Sequence, residues 1–381
     1  MKYDFDEIIE RRQTGCVKWD ESPKGVIPLW VADMDFAVAP AIQKAVRQRA
    51  EHPVYGYTYV QDDYYEAVIS WFKRRHQWEI KREWILYTTG VVPAMSVAIK
   101  ALTMPGERVL ILSPDYNCFF SSVKNNGCEV VETVLRQNRS KQRFEVDWQD
   151  FEAQCADDKT TVFLLCNPHN PTGRVWTRGE LERMRDICRE HHVRIVSDEI
   201  HCELIMPGHT FCPMGTVDDD AVILNSPSKS FNIAGLMMAN MICRDAATRR
   251  RIDRAININE VCDVNPFAPV AVKAAYNEGG DWIDALNLYL WDNYRSLCDF
   301  VAKHLPQWRV MPLEGTYLVW VDCSACCCDT ATYCTEILEK ARVWVNPGTM
   351  YGPKSGEGFL RINIACPRSI LLEALNRMTK I

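Results

Sequence analysis

Five short runs dominated by Val, Ile, Leu and Phe punctuate the middle of the chain, at residues 84–88, 108–112, 161–166, 193–197 and 221–225. None alternates apolar with polar side chains, the pattern of strands buried on both faces. Helical periodicity fills some of the intervals. It is clearest at 180–191, where Leu181, Met184, Ile187 and Cys188 share one face. Strand and helix in alternation predict an α/β fold with a mostly parallel central sheet flanked by helices. The chain ends read differently. A short helix, an extended stretch at 27–31 and a helix from Pro40 to Ala50 come first. A long helix from Asp281 to Leu305, a strand at 316–321, a helix at 331–341, a strand at 359–364 and a last helix close the chain. These predict a smaller α+β lobe formed by both ends. Its N-terminal contribution is 1–48, the large domain is 49–283, and the small C-terminal domain is 284–381. No internal repeat or low-complexity stretch interrupts this order.

Composition narrows the class. Lys plus Arg number 44 and Asp plus Glu 50, a formal charge of −6 over 381 residues. An acidic balance without a basic run argues against nucleic acid or an anionic membrane as partner. No apolar stretch is long enough to span a bilayer; the nearest, 233–243, is interrupted by Gly235 and Asn240. Met1-Lys2-Tyr3-Asp4 opens no secretory signal. A cytoplasmic protein with reduced thiols is expected, and in it the Asn138-Arg139-Ser140 acceptor pattern is a chance match. Most of the 17 cysteines, such as Cys166, Cys188 and Cys243, sit in apolar stretches and read as small buried hydrophobes. Cys323, Cys326, Cys327, Cys328 and Cys334 form a denser cluster. Cys323-x-x-Cys326 has a metal-ligand spacing, but a tetrahedral site needs a second pair and no histidine lies there. A loop of reactive thiols is expected, with no metal assigned.

Ligands of open α/β sheets collect at the carboxyl ends of the strands. After the first run, Thr89-Gly90-Val91-Val92-Pro93 opens a helix whose first amides suit a phosphate or merely a turn. Tyr116 follows the second run and can stack on a flat ligand or pack on the surface. Asn167-Pro168-His169-Asn170-Pro171-Thr172-Gly173 follows the third, a constrained loop that holds Asn170 rigidly. Asp198 follows the fourth. It is either an N-cap or the partner of a cationic ring nitrogen, because an unpaired acid after a buried strand is costly. Ser226-Pro227-Ser228-Lys229 follows the fifth. Desolvation there turns Lys229 into a nucleophilic amine, and the two serine hydroxyls can donate to a phosphate. An amine, a carboxylate, an amide, an aromatic face and an anion site together are what pyridoxal 5′-phosphate requires.

In combination, Asn167 to Gly173, Asp198 lying 28 residues after Asn170, and Ser-Pro-Ser-Lys229 resemble the pyridoxal-phosphate enzymes of the aspartate-aminotransferase fold (fold type I, class I/II superfamily). The resemblance spans nearly the whole chain. Trp30-Val-Ala-Asp-Met-Asp-Phe36, Tyr55-Gly-Tyr-Thr58, Ser197-Asp-Glu-Ile-His201 and Lys229-Ser-Phe-Asn232 are similar to the MalY/PatB-type cystathionine β-lyases. The resemblance implies that Lys229 carries the cofactor and acts as base, and that Asp198 pairs with the ring nitrogen. It implies that Asn170 bonds the ring oxygen, Tyr116 stacks on the ring, and His201 joins the cofactor site. It places the phosphate on Val91, Val92, Ser226 and Ser228. Tyr57 is implied to reach the neighbouring active site of a homodimer. Arg361 is implied to grip the substrate carboxylate, with Arg368 the competing candidate. Two positions depart from the aminotransferase pattern: Met237 stands where those enzymes carry an arginine, and His201 where they carry a tyrosine. The implied activity is α,β-elimination on L-cystathionine or a related sulfur amino acid, giving pyruvate, ammonia and a thiol. An aminotransferase, or a regulatory protein on a retained lyase fold, is the alternative.

Overall fold

The computed structural model describes residues 3–138, 140, 142–326 and 329–381. Cys327 and Cys328 of the cysteine cluster, and Arg139 of the acceptor pattern, lie outside the described residues.

The large sheet has seven strands: β1 (Ile85–Thr88), β2 (Arg108–Ser113), β3 (Glu129–Val134), β4 (Thr160–Cys166), β5 (Arg194–Asp198), β6 (Val222–Asn225) and β7 (Ala239–Cys243). Their order is β1-β7-β6-β5-β4-β2-β3. All neighbours are parallel except β7, which runs against both β1 and β6. The five apolar runs are β1, β2, β4, β5 and β6, displaced by a residue or two. The other two strands have different signatures. β3 is an edge strand with exposed Glu129 and Glu132, so it never reads as a buried run. β7 lies inside the apolar stretch at 233–243, and all five of its residues are buried. The chain leaves β2 outward to β3 and returns to β4, so a crevice opens at their carboxyl ends.

Helices cover the sheet. Val91–Leu102 is apolar on nearly every side because it is buried, with Ala94, Met95, Val97, Ala98 and Ile99 inaccessible. The helix predicted to begin at Glu180 begins instead at Arg178, because Thr177 and Glu180 form a capping box. The Thr177 hydroxyl accepts from the Glu180 amide at 3.3 Å, and the Glu180 carboxylate accepts from the Thr177 amide at 2.9 Å.

A second sheet holds β8 (Arg309–Val310), β9 (Leu318–Asp322), β10 (Asn346–Pro347) and β11 (Phe359–Asn363), in the order β8-β9-β11-β10 and antiparallel throughout. Helices Gly280–His304 and Arg368–Met378 pack beside it. The start of the chain joins this end: Ile27–Pro28 pairs in parallel with Val343–Trp344, and the Trp30 and Trp344 rings stack at 4.5 Å. The predicted helix at 331–341 is α-helical only over Thr330–Glu336 and widens to a π-turn over Ile337–Ala341. No helix among the described residues is long and apolar enough to cross a membrane.

Candidate active site

Residues 30–36 cross the carboxyl ends of the large sheet as a strap, held by side chains from the small sheet and from the loop after β6. Asn346 and Arg361 donate to the Trp30 carbonyl at 3.0 and 2.9 Å. Asn363 donates to the carbonyls of Val31 at 2.6 Å and Asp33 at 2.7 Å. Asn232, three residues after Lys229, accepts from the Met34 amide and donates to the carbonyls of Met34 and Phe36. Its φ of 56° is left-handed, which asparagine tolerates better than most residues. Beneath the strap, Lys18 is fully buried against Asp35 at 2.8 Å, and Arg11 bonds both Asp33 and Asp35. Arg11, Lys18, Asp33 and Asp35 balance in charge, which offsets the desolvation of each.

Lys229 meets this strap. It follows β6 on the loop that Ser226 organises, and its Nζ donates to the Ala32 carbonyl at 2.7 Å. The surrounding protein desolvates the amine and lowers its pKa, helped by the Arg361 charge and opposed by Asp33 and Asp198. Asp198 ends β5, flanked in register by Cys166 of β4 and Leu224 of β6. It accepts from the Ile200 amide at 3.1 Å, yet burial still pushes its carboxyl up to about 7. The N-cap alternative falls, because residues 200–203 form a turn rather than a helix; the carboxylate bonds that turn and lies within the field of Lys229. His201 is buried, with Nδ1 unpartnered, and desolvation together with the nearby Lys229 and Arg361 charges pushes it down to about 3. It is neutral at physiological pH.

Asn170 is buried at the end of β4. Its side-chain oxygen accepts from Arg361 Nη1 at 3.2 Å. Gly173 closes this loop at φ +72°, where a Cβ would stand 2.9 Å from Leu313 Cδ1, and its carbonyl accepts from the Glu314 and Gly315 amides. Tyr116 starts the helix Asn117–Asn125, close enough to Asp198 and Arg361 to feel both charges. The helix after Gly90 makes its first internal bond from the Ala94 amide, and Pro93 has no N–H. The Val91 and Val92 amides therefore lie beyond the helix's own acceptors.

The structure separates the two arginine candidates. Arg361 lies on β11, 4% exposed, with its guanidinium 4.6 Å from the Tyr351 ring centre. Arg368 lies over the Tyr289 ring and donates to Asn293, in the packing of the last helix. Arg361 is thus the arginine brought to Asn170 and Lys229. Ser226 lies at the start of the Lys229 loop. Its hydroxyl donates to the Met238 carbonyl at 2.6 Å while its oxygen accepts from the Ser228 amide at 3.1 Å, so it organises the loop that carries Lys229. Ser228 is only partly buried. Met237, in place of an arginine, is exposed with φ 52°. Tyr57 is fully exposed.

Sequence reasoning missed Asn346 and Asn363, which hold the strap, and Tyr317, which donates to its Ala32 carbonyl. Asn232 and residues 30–36 stand in motifs legible in the sequence, but nothing in the sequence links them to each other. A cluster of His76, Cys202 and Glu203 also has metal-ligand side chains. Its Glu203 carboxylate already accepts from Trp71 at 2.7 Å and His76 at 2.6 Å, with Arg75 at 3.7 Å, so it is a buried ion pair.

The fold and these donors define a class. A desolvated lysine amine, a buried acid poised to ionise beside a cation, an aromatic face and helix-start amides fit pyridoxal phosphate. Residues 24–378 match the profile of the family "Aminotransferase class I and II". The chain belongs to that family, whose cofactor is pyridoxal phosphate. Within it, the chain falls in the branch of cystathionine β-lyase PatB from Bacillus subtilis and protein MalY from Escherichia coli. It is 38% identical to PatB over 98% of both chains, and 33% identical to MalY over 97% of this chain and 96% of MalY. The crystal structure of cystalysin from Treponema denticola, which contains pyridoxal 5′-phosphate, superposes with a TM-score of 0.96 at 35% identity, covering 100% of this chain and 98% of that one.

Proposed function

We propose that this protein is a carbon–sulfur lyase that eliminates the thiol from L-cystathionine or a related sulfur amino acid, leaving pyruvate and ammonia. The observation that carries the reading is Lys229, a desolvated amine held at 2.7 Å by the strap within the fields of Asp198 and Arg361. Likeness to PatB supports the choice of a sulfur substrate. Bound pyridoxal phosphate supplies an electron-poor ring that takes up the electron pair left at the substrate Cα. Asp198 would ionise beside the cationic ring nitrogen and keep that nitrogen protonated. Tyr116 would cover one face of the ring and Asn170 would bond its oxygen, with neutral His201 alongside. Ser226, Ser228 and the Val91 and Val92 amides would hold the phosphate. Arg361 fixes the carboxylate so that the Cα–H bond faces Lys229, whose amine takes the proton. The thiolate then leaves Cβ, and water hydrolyses the remaining three-carbon unit to pyruvate and ammonia.

Purified protein given cystathionine alone is expected to release pyruvate, ammonia and thiol in equal amounts. Turnover only when a 2-oxo acid is added would make it an aminotransferase instead. Arg361→Ala is expected to raise KM about 30- to 100-fold through loss of a charge-assisted bidentate contact, with a much smaller change in kcat. Steady-state kinetics check this, and an unchanged KM removes Arg361 from carboxylate binding.

The proposal extends to a cytoplasmic homodimer in which Tyr57 reaches the partner's phosphate site, a role its full exposure supports. Tyr57→Phe then weakens cofactor retention about 5- to 10-fold, read by equilibrium dialysis. Equal retention in both proteins would contradict it. The proposed division is 1–48 with the small lobe, 49–283 as the cofactor domain and 284–381 as the small C-terminal domain.

A further inference from the structure

The Ala32 carbonyl receives two donors. Lys229 Nζ lies 2.7 Å from it and the Tyr317 hydroxyl 2.9 Å. A carbonyl oxygen has two lone pairs, so both are engaged. Tyr317 is wholly buried, with the His201 ring edge-on at 5.9 Å. The residue before it, Thr316, has φ 68°, a conformation rarely adopted by a β-branched residue, and this turn delivers Tyr317 to the strap. The strap does not depend on that hydroxyl for its place. Trp30, Val31, Asp33, Met34 and Phe36 are each anchored by other side chains. The hydroxyl therefore acts mainly on the carbonyl's strength as an acceptor.

We propose that Tyr317 is a positioning residue for Lys229: its hydroxyl occupies one lone pair of the Ala32 carbonyl, so that the carbonyl holds the released amine in place without binding it strongly as an ammonium. An ammonium gains more from an uncommitted carbonyl than a neutral amine does. Sharing the acceptor with Tyr317 thus favours the neutral amine, the form that attacks the cofactor and takes a proton. The other charged groups facing Lys229 are Asp33 from the strap, Arg361 from β11 and Asp198 at the end of β5, with neutral His201 and the Cys118 side chain nearby. None of them is altered when the hydroxyl is removed. The base role rests on the lyase reading; the effect on the free amine does not.

The test uses cofactor-free wild type and Tyr317→Phe, mixed with pyridoxal phosphate across pH 6 to about 10, with the growth of visible absorbance timed at each pH. The midpoint of the rate profile reports the Lys229 amine. It is expected to move up by about 0.5–1 pH unit in the variant. The acid limb of kcat for sulfur elimination should move the same way. An unmoved or lowered midpoint in a variant that melts cooperatively overturns the proposal, because a merely structural hydroxyl would leave the profile in place. Tyr317→Met fills the space without a donor, must give the same upward shift, and serves if the phenylalanine variant does not fold. If wild type eliminates no sulfur substrate but the midpoint still moves, the lyase reading falls and the role of Tyr317 stands.

Discussion

Lys229→Ala is expected to reduce elimination by at least about four orders of magnitude, because one side chain serves as both cofactor anchor and base. The variant should also fail to develop the visible absorbance that lysine-bound pyridoxal phosphate gives. Its fold should persist. The amine makes a single hydrogen bond, to Ala32, and that carbonyl keeps Tyr317 as a donor. Absorbance titration and a pyruvate assay on the same sample decide the matter. A variant that keeps the band, or keeps more than about a hundredth of the activity, would show that another amine does this work.

Asp198→Asn should lower kcat about a thousandfold, since a neutral amide does not hold a proton on the ring nitrogen. The same substitution has an opposite effect on the cofactor-free protein. Burial raises the Asp198 carboxyl to about 7 in the fold, from about 3.9 in an unfolded chain. The folded state binds this proton more tightly than the unfolded state does. The stabilisation is therefore fully present below about pH 4 and is lost as pH rises through about 7. Glu199 is raised to about 8, chiefly by the same burial and in part by the Asp198 charge, so the substitution also relieves part of that rise and acts in the same direction. Without cofactor, the melting temperature of wild type should fall several degrees relative to Asp198→Asn between pH 5 and about 8. A gap that stays constant with pH would mean that Asp198 is ionised throughout. Added pyridoxal phosphate should stabilise wild type more at the upper end of this range, where the carboxylate meets a cation.

The residues of the large sheet were legible because each carries its own local mark. β4, β5 and β6 are short apolar runs, and each runs into unusual chemistry: a doubly Pro-constrained Asn170, an acid, and a lysine between serines. Parallel strands place all these loops at one end, so strand direction alone gathers Tyr116, Asn170, Asp198 and Lys229. The small sheet was legible only as elements. Arg361 and Arg368 are seven residues apart with similar neighbours, and local pattern ranks neither above the other. The choice is made by β11, which pairs with β9 and β10 and carries Arg361 to Asn170, while the turn after it sends Arg368 into helix packing. β3 stayed hidden because an edge strand tolerates charge, and the bond from the Ser226 hydroxyl to the Met238 carbonyl stayed hidden because it closes across a turn.

Local order, then, decided the type of chemistry: apolar runs need burial, and an amine, an acid and an amide at their ends need a ligand that satisfies them. Which groups meet was decided by contacts far apart in the chain. Ala32 lies 197 residues from Lys229 and 285 from Tyr317, and both share its carbonyl. No periodicity or spacing encodes such a bond. It exists because Ile27–Pro28 pairs with Val343–Trp344 and so draws the strap across the cleft. Closing a loop of that length has an entropic cost that only the packing of both sheets can offset.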